Sequence, residues 1–147
     1  MFKKMQKGVY YSDNKISLAN KKAVDFLVET GKDENLDLLR LCLHENKKSK
    51  LMSMLIVVLN YYFYPPHRHL WKDESYTIID GKCLYIEYNE NGKIIEHVLM
   101  QKGDSLLNRN GHFHTFKPLS DKFVFIENTT GPFLNHPLDL LKEFESY

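Results

Sequence analysis

The chain has 147 residues, of which 43% are apolar and 27% are charged, and this composition is typical of one soluble globular domain with a hydrophobic core. Twenty Lys and Arg residues nearly balance nineteen Asp and Glu residues, so the net charge of +1 gives no electrostatic case for binding nucleic acid or an anionic membrane. The apolar run from Leu51 is too short to cross a bilayer, and no apolar stretch follows the basic start, so we expect neither a membrane span nor a signal peptide. Cys42 and Cys83 are expected to be buried, reduced thiols in a cytoplasmic protein.

The first fifty residues mix helical and strand patterns. The stretch "ISLANKKAVDFLVET", from Ile16, groups its apolar residues as a helix does, and Gly31 is a plausible stop. "LRLCLH" alternates with a period of two and predicts a strand near residues 39–44, although the surrounding leucines also fit a second short helix. We therefore expect residues 1–50 to form a helical and strand extension that packs on the rest of the domain.

The region from residue 51 to residue 130 is dominated by strand signals. Segments of six to nine residues, rich in β-branched and aromatic side chains, are bounded by Gly, Pro, Asn or Asp. Asn91-Gly92 predicts a type I′ hairpin turn between two of them. This spacing predicts an antiparallel β-sandwich or barrel. Residues 131–147 are expected to form a helical tail, with Pro137 in the first turn of the helix, and all three regions belong to one domain.

Three histidines and one glutamate form the candidate functional site. His67 and His69 in "PPHRH" are two residues apart, so on a strand their side chains face the same side. Glu74 follows across a short turn, at the start of the next predicted strand. His114, forty residues further on, lies in a strand that a β-roll can bring beside them.

Three imidazoles and one carboxylate make a mixed nitrogen and oxygen ligand set. Such a set suits one divalent first-row transition metal and leaves coordination positions open for water or substrate. Ligand types alone do not distinguish iron, manganese, zinc and nickel, because affinity order and cellular availability both contribute.

These residues resemble the first motif of the cupin superfamily, G-x5-H-x-H-x(3,4)-E-x6-G. The match runs from His67 through His69 and Glu74 to Gly81, while Tyr61 stands where the motif has its leading glycine. The chain therefore retains the residues at the three ligand positions of this motif.

The second cupin motif, G-x5-P-x-G-x2-H-x3-N, is matched by Gly103, Gly111 and His114. Arg109 replaces the motif proline and Pro118 replaces its asparagine. The departures affect turn and backbone positions, so the ligand position is again retained. The resemblance implies a double-stranded β-helix, or jelly-roll barrel.

A narrower resemblance extends from Ile16 to Pro137. The helical start, "RLCLH", "PPHRH" and the tail "FIENTTGPF" are similar to WbuC-type cupin-fold metalloproteins, although "KDE" stands where that family usually has "KWE". The resemblance implies a metal site and a role in surface polysaccharide (O-antigen or capsule-type) biosynthesis. It supplies no catalytic mechanism.

Four residues are candidates for lining a substrate pocket. Phe63 and Phe116 share the strand parity of the ligands, Tyr76 shares that of Glu74, and Arg109 lies at a turn near the metal, where it either binds an anionic group or makes structural hydrogen bonds. Most aromatic residues of the strands are expected to pack between the sheets. His112 is expected to be a surface residue or one that supports a ligand, not a ligand itself. The remaining histidines, His44, His97 and His136, are expected to be surface or packing residues.

Three interpretations of function remain open. In the first, the protein is an enzyme. The metal acts as a Lewis acid in an isomerase or epimerase of a sugar or nucleotide-sugar, or the site holds iron in a dioxygenase. In the second, the pocket binds a sugar or small acid without turning it over. In the third, the metal is incidental and the barrel mainly forms a dimer interface. A homodimer is expected in each case, and no proton-transfer residue beyond the ligands is identified.

Overall fold

The computed structural model describes residues 1–108, 111–133 and 138–147. Within these ranges the chain forms one helix, α1 (Lys21–Glu34), and twelve strands. The strands are β1 (Phe2–Gln6), β2 (Val9–Ser12), β3 (Leu38–Cys42), β4 (Leu51–Leu59), β5 (His67–Arg68), β6 (Glu74–Asp80), β7 (Lys82–Tyr88), β8 (Ile94–Gln101), β9 (Ser105–Asn108), β10 (Phe113–Pro118), β11 (Lys122–Thr130) and β12 (Asp139–Leu140).

The strands form two sheets. The larger has the order β1-β2-β3-β4-β11-β6-β9 and the smaller has the order β12-β5-β10-β7-β8. Every pairing is antiparallel except that of β2 with β3. Consecutive strands along the chain alternate between the sheets at several points, which is the jelly-roll arrangement expected for this sequence.

Helix α1 covers the outer face of the larger sheet. The Asn20 side chain caps its first turn by accepting a hydrogen bond from the Ala23 amide, and Asn35 ends the helix in the left-handed conformation. Ala23 and Leu27 pack with Leu39 and other buried residues of β3, β4 and β11. This packing uses every second residue of those strands, so the residues between them face the interior of the sandwich.

The helix runs three residues past the predicted stop at Gly31. A Cβ atom at this position would lie 2.6 Å from Leu59 Cδ1 and 2.9 Å from the Leu36 carbonyl oxygen. Gly31 is therefore a close-packing position in the last turn, and Asn35 provides the actual helix end.

The interior between the sheets changes character along its length. Its apolar part is built from Ile56, Val58, Ile78, Phe123, Phe125 and their neighbours. Along β11 the inward side chains become polar after Phe125, with Glu127 and then Thr129, while Met54 and Met52 remain apolar on the neighbouring β4. Glu74, the first residue of β6, lies two residues before Tyr76 and completes this polar end.

The predicted C-terminal helix is wrong for the described residues 138–147. They form β12, which pairs with β5, followed by irregular chain. Leu141 packs with Tyr88 and Phe113 on the outer face of the smaller sheet, and Phe144 lies against Tyr88. The apolar residues whose spacing suggests a helix cover this face instead. The backbone of β12 forms its hydrogen bonds by pairing with β5. Pro137 lies outside the described residues.

The basic start of the chain forms the hairpin β1–β2, whose second strand pairs with β3 of the same chain. The turn between β7 and β8 differs from expectation. In the β7–β8 hairpin only Gly92 has positive φ, and the Asn89 side chain accepts hydrogen bonds from the amides of Asn91 and Lys93. The turn is therefore not type I′.

Two compositional expectations can be compared with the structure. Cys42 and Cys83 are both buried and unbridged. None of the helices in the described ranges is long and apolar enough to cross a membrane.

Candidate functional site

The four predicted ligand residues come together at the polar end of the interior. His67 of β5 pairs directly with His114 of β10 in the smaller sheet, and His69 follows β5. Glu74 begins β6 in the larger sheet, where it pairs with Asn108 of β9. Ring centroids are 4.7 Å apart for His67 and His114, 5.2 Å for His67 and His69, and 6.4 Å for His69 and His114. Both sheets thus contribute side chains to one small volume.

The Glu74 carboxylate lies between two of the imidazoles. Its Oε1 atom is 3.3 Å from His69 Nε2, and its Oε2 atom is 3.4 Å from His114 Nε2. Glu74 is 2% exposed and His114 is 1% exposed. The geometry places one buried carboxylate against imidazoles that reach it from the opposite sheet.

Hydrogen bonds orient the histidine rings. His67 Nδ1 lies 3.1 Å from the Pro65 carbonyl oxygen, and His114 Nδ1 lies 3.0 Å from the carbonyl oxygen of His112. When the His67 Nδ1–H donates to the Pro65 carbonyl, the Nε2 atom of His67 keeps a lone pair directed into the site. This is the ring state in which histidine binds a metal through Nε2.

Tyr76 and Asn108 complete the buried cluster. The Tyr76 hydroxyl donates to Glu74 Oε2 at 2.9 Å and lies 3.0 Å from His114 Nε2. Asn108 Nδ2 is 2.9 Å from His114 Nδ1. Asn108 Oδ1 is buried without a hydrogen-bond partner among the described residues, which leaves one oxygen acceptor beside the histidines.

The electrostatics favour neutral His67 and His69 side chains and an ionised Glu74 carboxylate. Burial lowers the pKa of His67 to about 3, helped by the neighbouring His114, and burial also lowers the pKa of His69. Burial alone would raise the pKa of Glu74, but hydrogen bonding with His114, the charges of His69 and His114, and the Tyr76 hydroxyl lower it to about 2. These protonation states are the ones that metal ligands require.

The donor set fits a divalent transition metal in its chemistry. Three imidazole nitrogens, one carboxylate and the unpartnered oxygen of Asn108 are all available within one buried cluster. Across the described ranges, however, no three His, Cys, Asp or Glu side chains already stand in a metal-binding arrangement. The carboxylate is hydrogen-bonded to Tyr76 in the structure, so binding a metal would require these side chains to move closer together.

Glu127, which the sequence analysis missed, is a second acidic residue inside the sandwich. It pairs with Tyr76 across β11 and β6 and shares the inward face of β11 with Phe123 and Phe125. Burial and, after it, the charge of Glu74 raise its pKa, against the charge of Arg40, to about 7. The alternation in "FVFIE" is the sequence signal, because residues 123, 125 and 127 have the same strand parity.

Two of the four predicted pocket residues line the cavity in the structure. Tyr76 and Phe116 both line the cavity, with ring centroids 4.8 Å apart in an edge-to-face arrangement. Phe63 does not line it, since its ring lies 6.0 Å from that of Phe144. Residues 62–66 do not form a strand, so the alternation that the prediction assumed between Phe63 and His67 does not apply. Arg109 lies outside the described residues.

The other histidines lie apart from the cluster. His112 is exposed and pairs with Glu87 at 3.2 Å. His44 is buried, with Nδ1 3.0 Å from the Ser53 carbonyl oxygen, and His97 contacts the Tyr147 ring. His136 lies outside the described residues.

A cavity of about 1620 Å³ includes the cluster and extends over the inner face of β2, β3, β4 and β11. Its wall holds polar residues beyond the cluster, including Arg40 and Glu127, and its mouth carries aromatic ones. The aromatic residues at the mouth are Tyr62, Tyr64, Trp71 and Phe133. The space is ample for a small organic ligand that contacts the histidine cluster.

Comparisons with known proteins place these features in context. A family model described as "Domain of unknown function (DUF6016)" matches residues 21–100, more than half of the chain. Among curated proteins none matches this chain.

Solved structures with the same fold include three informative examples. The DMSP lyase DddQ from Ruegeria pomeroyi DSS-3 is 15% identical, with a TM-score of 0.59 over 87% of this chain and 72% of that one. A cupin superfamily protein from Desulfitobacterium hafniense DCB-2 is 13% identical, with a TM-score of 0.53 over 63% and 76%. Bacillus subtilis oxalate decarboxylase, which has Mn(II) centres, is 20% identical, with a TM-score of 0.53 over 63% and 24%.

At these identities the similarity establishes the fold alone, and the expected cupin jelly roll is confirmed. The narrower WbuC-type relationship receives no support from these matches and stays a prediction.

Proposed function

The chain belongs to the family defined by the domain of unknown function DUF6016, and we propose that it is a metal-dependent cupin acting on a small oxygen-rich molecule. His67, His69, Glu74 and His114 would hold one divalent transition metal. The observation that supports this best is the convergence of three imidazoles and one buried carboxylate, from both sheets, at one end of the cavity.

When bound, such a metal supplies Lewis acidity toward a carbonyl or hydroxyl oxygen. The protein's own residues position and protect this chemistry. Tyr76 holds the Glu74 carboxylate against His114, and both are shielded from solvent. Glu127 faces the same interior with a pKa of about 7, which suits a group that gives or takes a proton at neutral pH.

An enzymatic role is the first form of the proposal. The lyase and the Mn(II)-containing decarboxylase among the structural neighbours are precedents for enzymes on this fold. The WbuC-type resemblance favours isomerisation or epimerisation of a sugar or nucleotide-sugar in surface polysaccharide biosynthesis, and an iron-dependent dioxygenase remains the alternative chemistry. Substrate and reaction rest on that resemblance alone.

Metal analysis of protein purified without a histidine tag tests the site directly. We expect about one metal per chain in the wild type, and loss of this metal in His69→Ala and Glu74→Ala. His97→Ala is the matched control, because His97 is exposed and lies against Tyr147 away from the cluster. This variant should keep the wild-type metal content.

A wild-type protein that stays metal-free after dialysis against iron, manganese, zinc and nickel would refute the proposal. If metal is found, turnover of nucleotide-sugars by the loaded protein separates the enzyme from a protein that only binds them. Unchanged nucleotide-sugars, with binding detected by calorimetry, would favour the non-catalytic role.

A further inference from the structure

A second charged group in the same cavity points to the kind of ligand that the site accepts. Arg40 lies in the middle of β3, where it pairs with Val9 of β2 and Ile56 of β4. Its neighbours Leu39 and Leu41 are fully buried beneath α1. The side chain of Arg40 therefore faces the interior, and it lines the cavity together with the histidine cluster.

The guanidinium group of Arg40 has no hydrogen-bond or salt-bridge partner among the described residues. By contrast Arg68, which lines the same cavity, is held by Asp139 and Glu90. Arg40 is half-buried, and the N–H donors of its guanidinium group are not used by acceptors of the described residues. An anionic group of a ligand would supply the missing hydrogen-bond acceptors.

Glu127 is the nearest candidate partner within the protein, but it does not pair with Arg40. In the register of the larger sheet, Arg40 is opposite Ile56, Ile56 is opposite Phe125, and Glu127 lies two residues further along β11. The two charged residues are thus two strands apart and offset by two residues, on one inner face. Glu127 is also a diagonal neighbour of Glu74, at about 7–8 Å between Cα atoms for such positions.

The cavity therefore has an acidic region, which joins the histidine cluster to Glu127, and a separate cationic point at Arg40. Lys47 and Lys72 add positive charge at the mouth, where their Nζ atoms lie 5.4 and 5.8 Å from the centroid of the Phe133 ring. Arg40 thus provides one planar cationic group, apart from the acidic residues of the cluster, that can receive an anion.

We propose that Arg40 is the anion-binding residue of the cavity and holds the carboxylate or phosphate group of a small organic ligand. The inference rests on the proposed function in one respect, namely that the same ligand presents an oxygen to the histidine cluster. The planar fork of Arg40 binds either anionic group through two parallel hydrogen bonds.

The test uses three sugars that differ in one group: glucuronate, glucose 1-phosphate and glucose. Binding to chelator-treated full-length protein is measured by ligand-observed NMR at pH 8. The wild type should bind at least one of the anionic sugars at least about tenfold more tightly than glucose, the size expected for a charge-assisted hydrogen bond. Comparing the two anionic sugars distinguishes a carboxylate from a phosphate ligand.

Variants then assign the effect. Arg40→Gln should lose the preference for the anionic sugars, whereas Lys48→Gln, which removes the same charge from the rim of the same cavity, should keep it. Glu127→Gln should strengthen binding of the anionic sugar, because it removes a nearby negative charge. If Arg40 had only a structural role, a folded Arg40→Gln protein would keep the preference, as Lys48→Gln does.

Several outcomes would overturn the proposal: no preference in the wild type, a full preference in Arg40→Gln, or weaker anion binding in Glu127→Gln. If circular dichroism shows that Arg40→Gln is unfolded, Arg40→Lys replaces it. This variant keeps the charge but not the fork, so we expect an intermediate preference, and an unchanged one would refute the role of Arg40.

The two proposals fail separately. Anion binding through Arg40 in a protein that takes up no metal would refute the metal centre and leave this inference standing. Metal uptake without any Arg40-dependent preference would refute this inference alone.

Discussion

Tyr76 joins the two halves of the candidate site, since its hydroxyl reaches both a carboxylate from its own strand and an imidazole from the opposite sheet. The phenol is 2% exposed, so these hydrogen bonds have little competition from water. Removing the oxygen alone tests how much the link stabilises the protein.

We expect Tyr76→Phe to lower the free energy of unfolding of the metal-free protein by about 1–2 kcal/mol, because Glu74 loses a buried hydrogen-bond donor. Urea denaturation measures this change. Tyr62→Phe is the matched control, since the Tyr62 side chain is 37% exposed. Equal stability of Tyr76→Phe and wild type would show that the hydroxyl does not stabilise the cluster.

His44 provides a prediction about pH at a residue outside the site. Burial lowers the pKa of His44 below its usual 6.5, against the hydrogen bond to the Ser53 carbonyl, which raises it. As the pH falls, the unfolded chain therefore binds a proton on this residue before the folded chain does, and stability present above pH 6.5 is lost on acidification.

The measurement is urea denaturation at pH 7.5 and pH 5.5. His44→Gln should lose less stability between these two values than the wild type loses. His97→Gln, at an exposed position, should behave like the wild type. A larger acid-induced loss in His44→Gln would contradict the assigned direction of the pKa shift.

Sequence reasoning brings His67, His69, Glu74 and His114 to one place because strand parity and turn spacing are local properties. It fails for Phe63, since residues 62–66, which include Pro65 and Pro66, do not form a strand and the alternation of β5 does not extend back to Phe63. Strand parity predicts that residue 127 faces inward, but nothing in the neighbouring sequence indicates that a carboxylate lies inside the sandwich.

Gly31 shows how packing decides the ends of an element. Helix propensity favours alanine over glycine by about 1 kcal/mol, yet a Cβ here would collide with Leu59 and with the backbone oxygen of Leu36. We expect Gly31→Ala to lower the free energy of unfolding by about 1–3 kcal/mol, the cost of overpacking, measured by thermal and urea denaturation. Lys32→Ala, on the exposed side of the same turn, should change stability little.

A more stable Gly31→Ala protein would mean that the side chains around Gly31 move aside easily.

The C-terminal segment also shows that packing partners decide which element forms. Its leucines fit a helix by spacing alone, but the sheet edge at β5 and the uncovered residues Tyr88 and Phe113 provide a better use for them. Such long-range partners are invisible to a pattern confined to one segment.

At the scale of the whole molecule, the homodimer expected from the sequence stays a prediction. Strand β1 lies at the edge of the larger sheet, so its outer backbone groups are available for pairing with a second copy. Light scattering after size-exclusion chromatography should give twice the 17.4 kDa mass of one chain. A mass of one chain at micromolar concentration would contradict this expectation.

The four clustered residues come from three strands and a connecting segment, and Glu74 and His114 are forty positions apart in the chain. Unfolding therefore separates Glu74 and His114 from the His67 and His69 pair, so a molecule that needs the whole cluster binds the folded state more tightly than the unfolded chain. By mass action, a ligand at one hundred times its Kd for the folded state would add up to about 2.7 kcal/mol to stability. The rise in melting temperature thus ranks metals and small anions in parallel, before any reaction has been assigned.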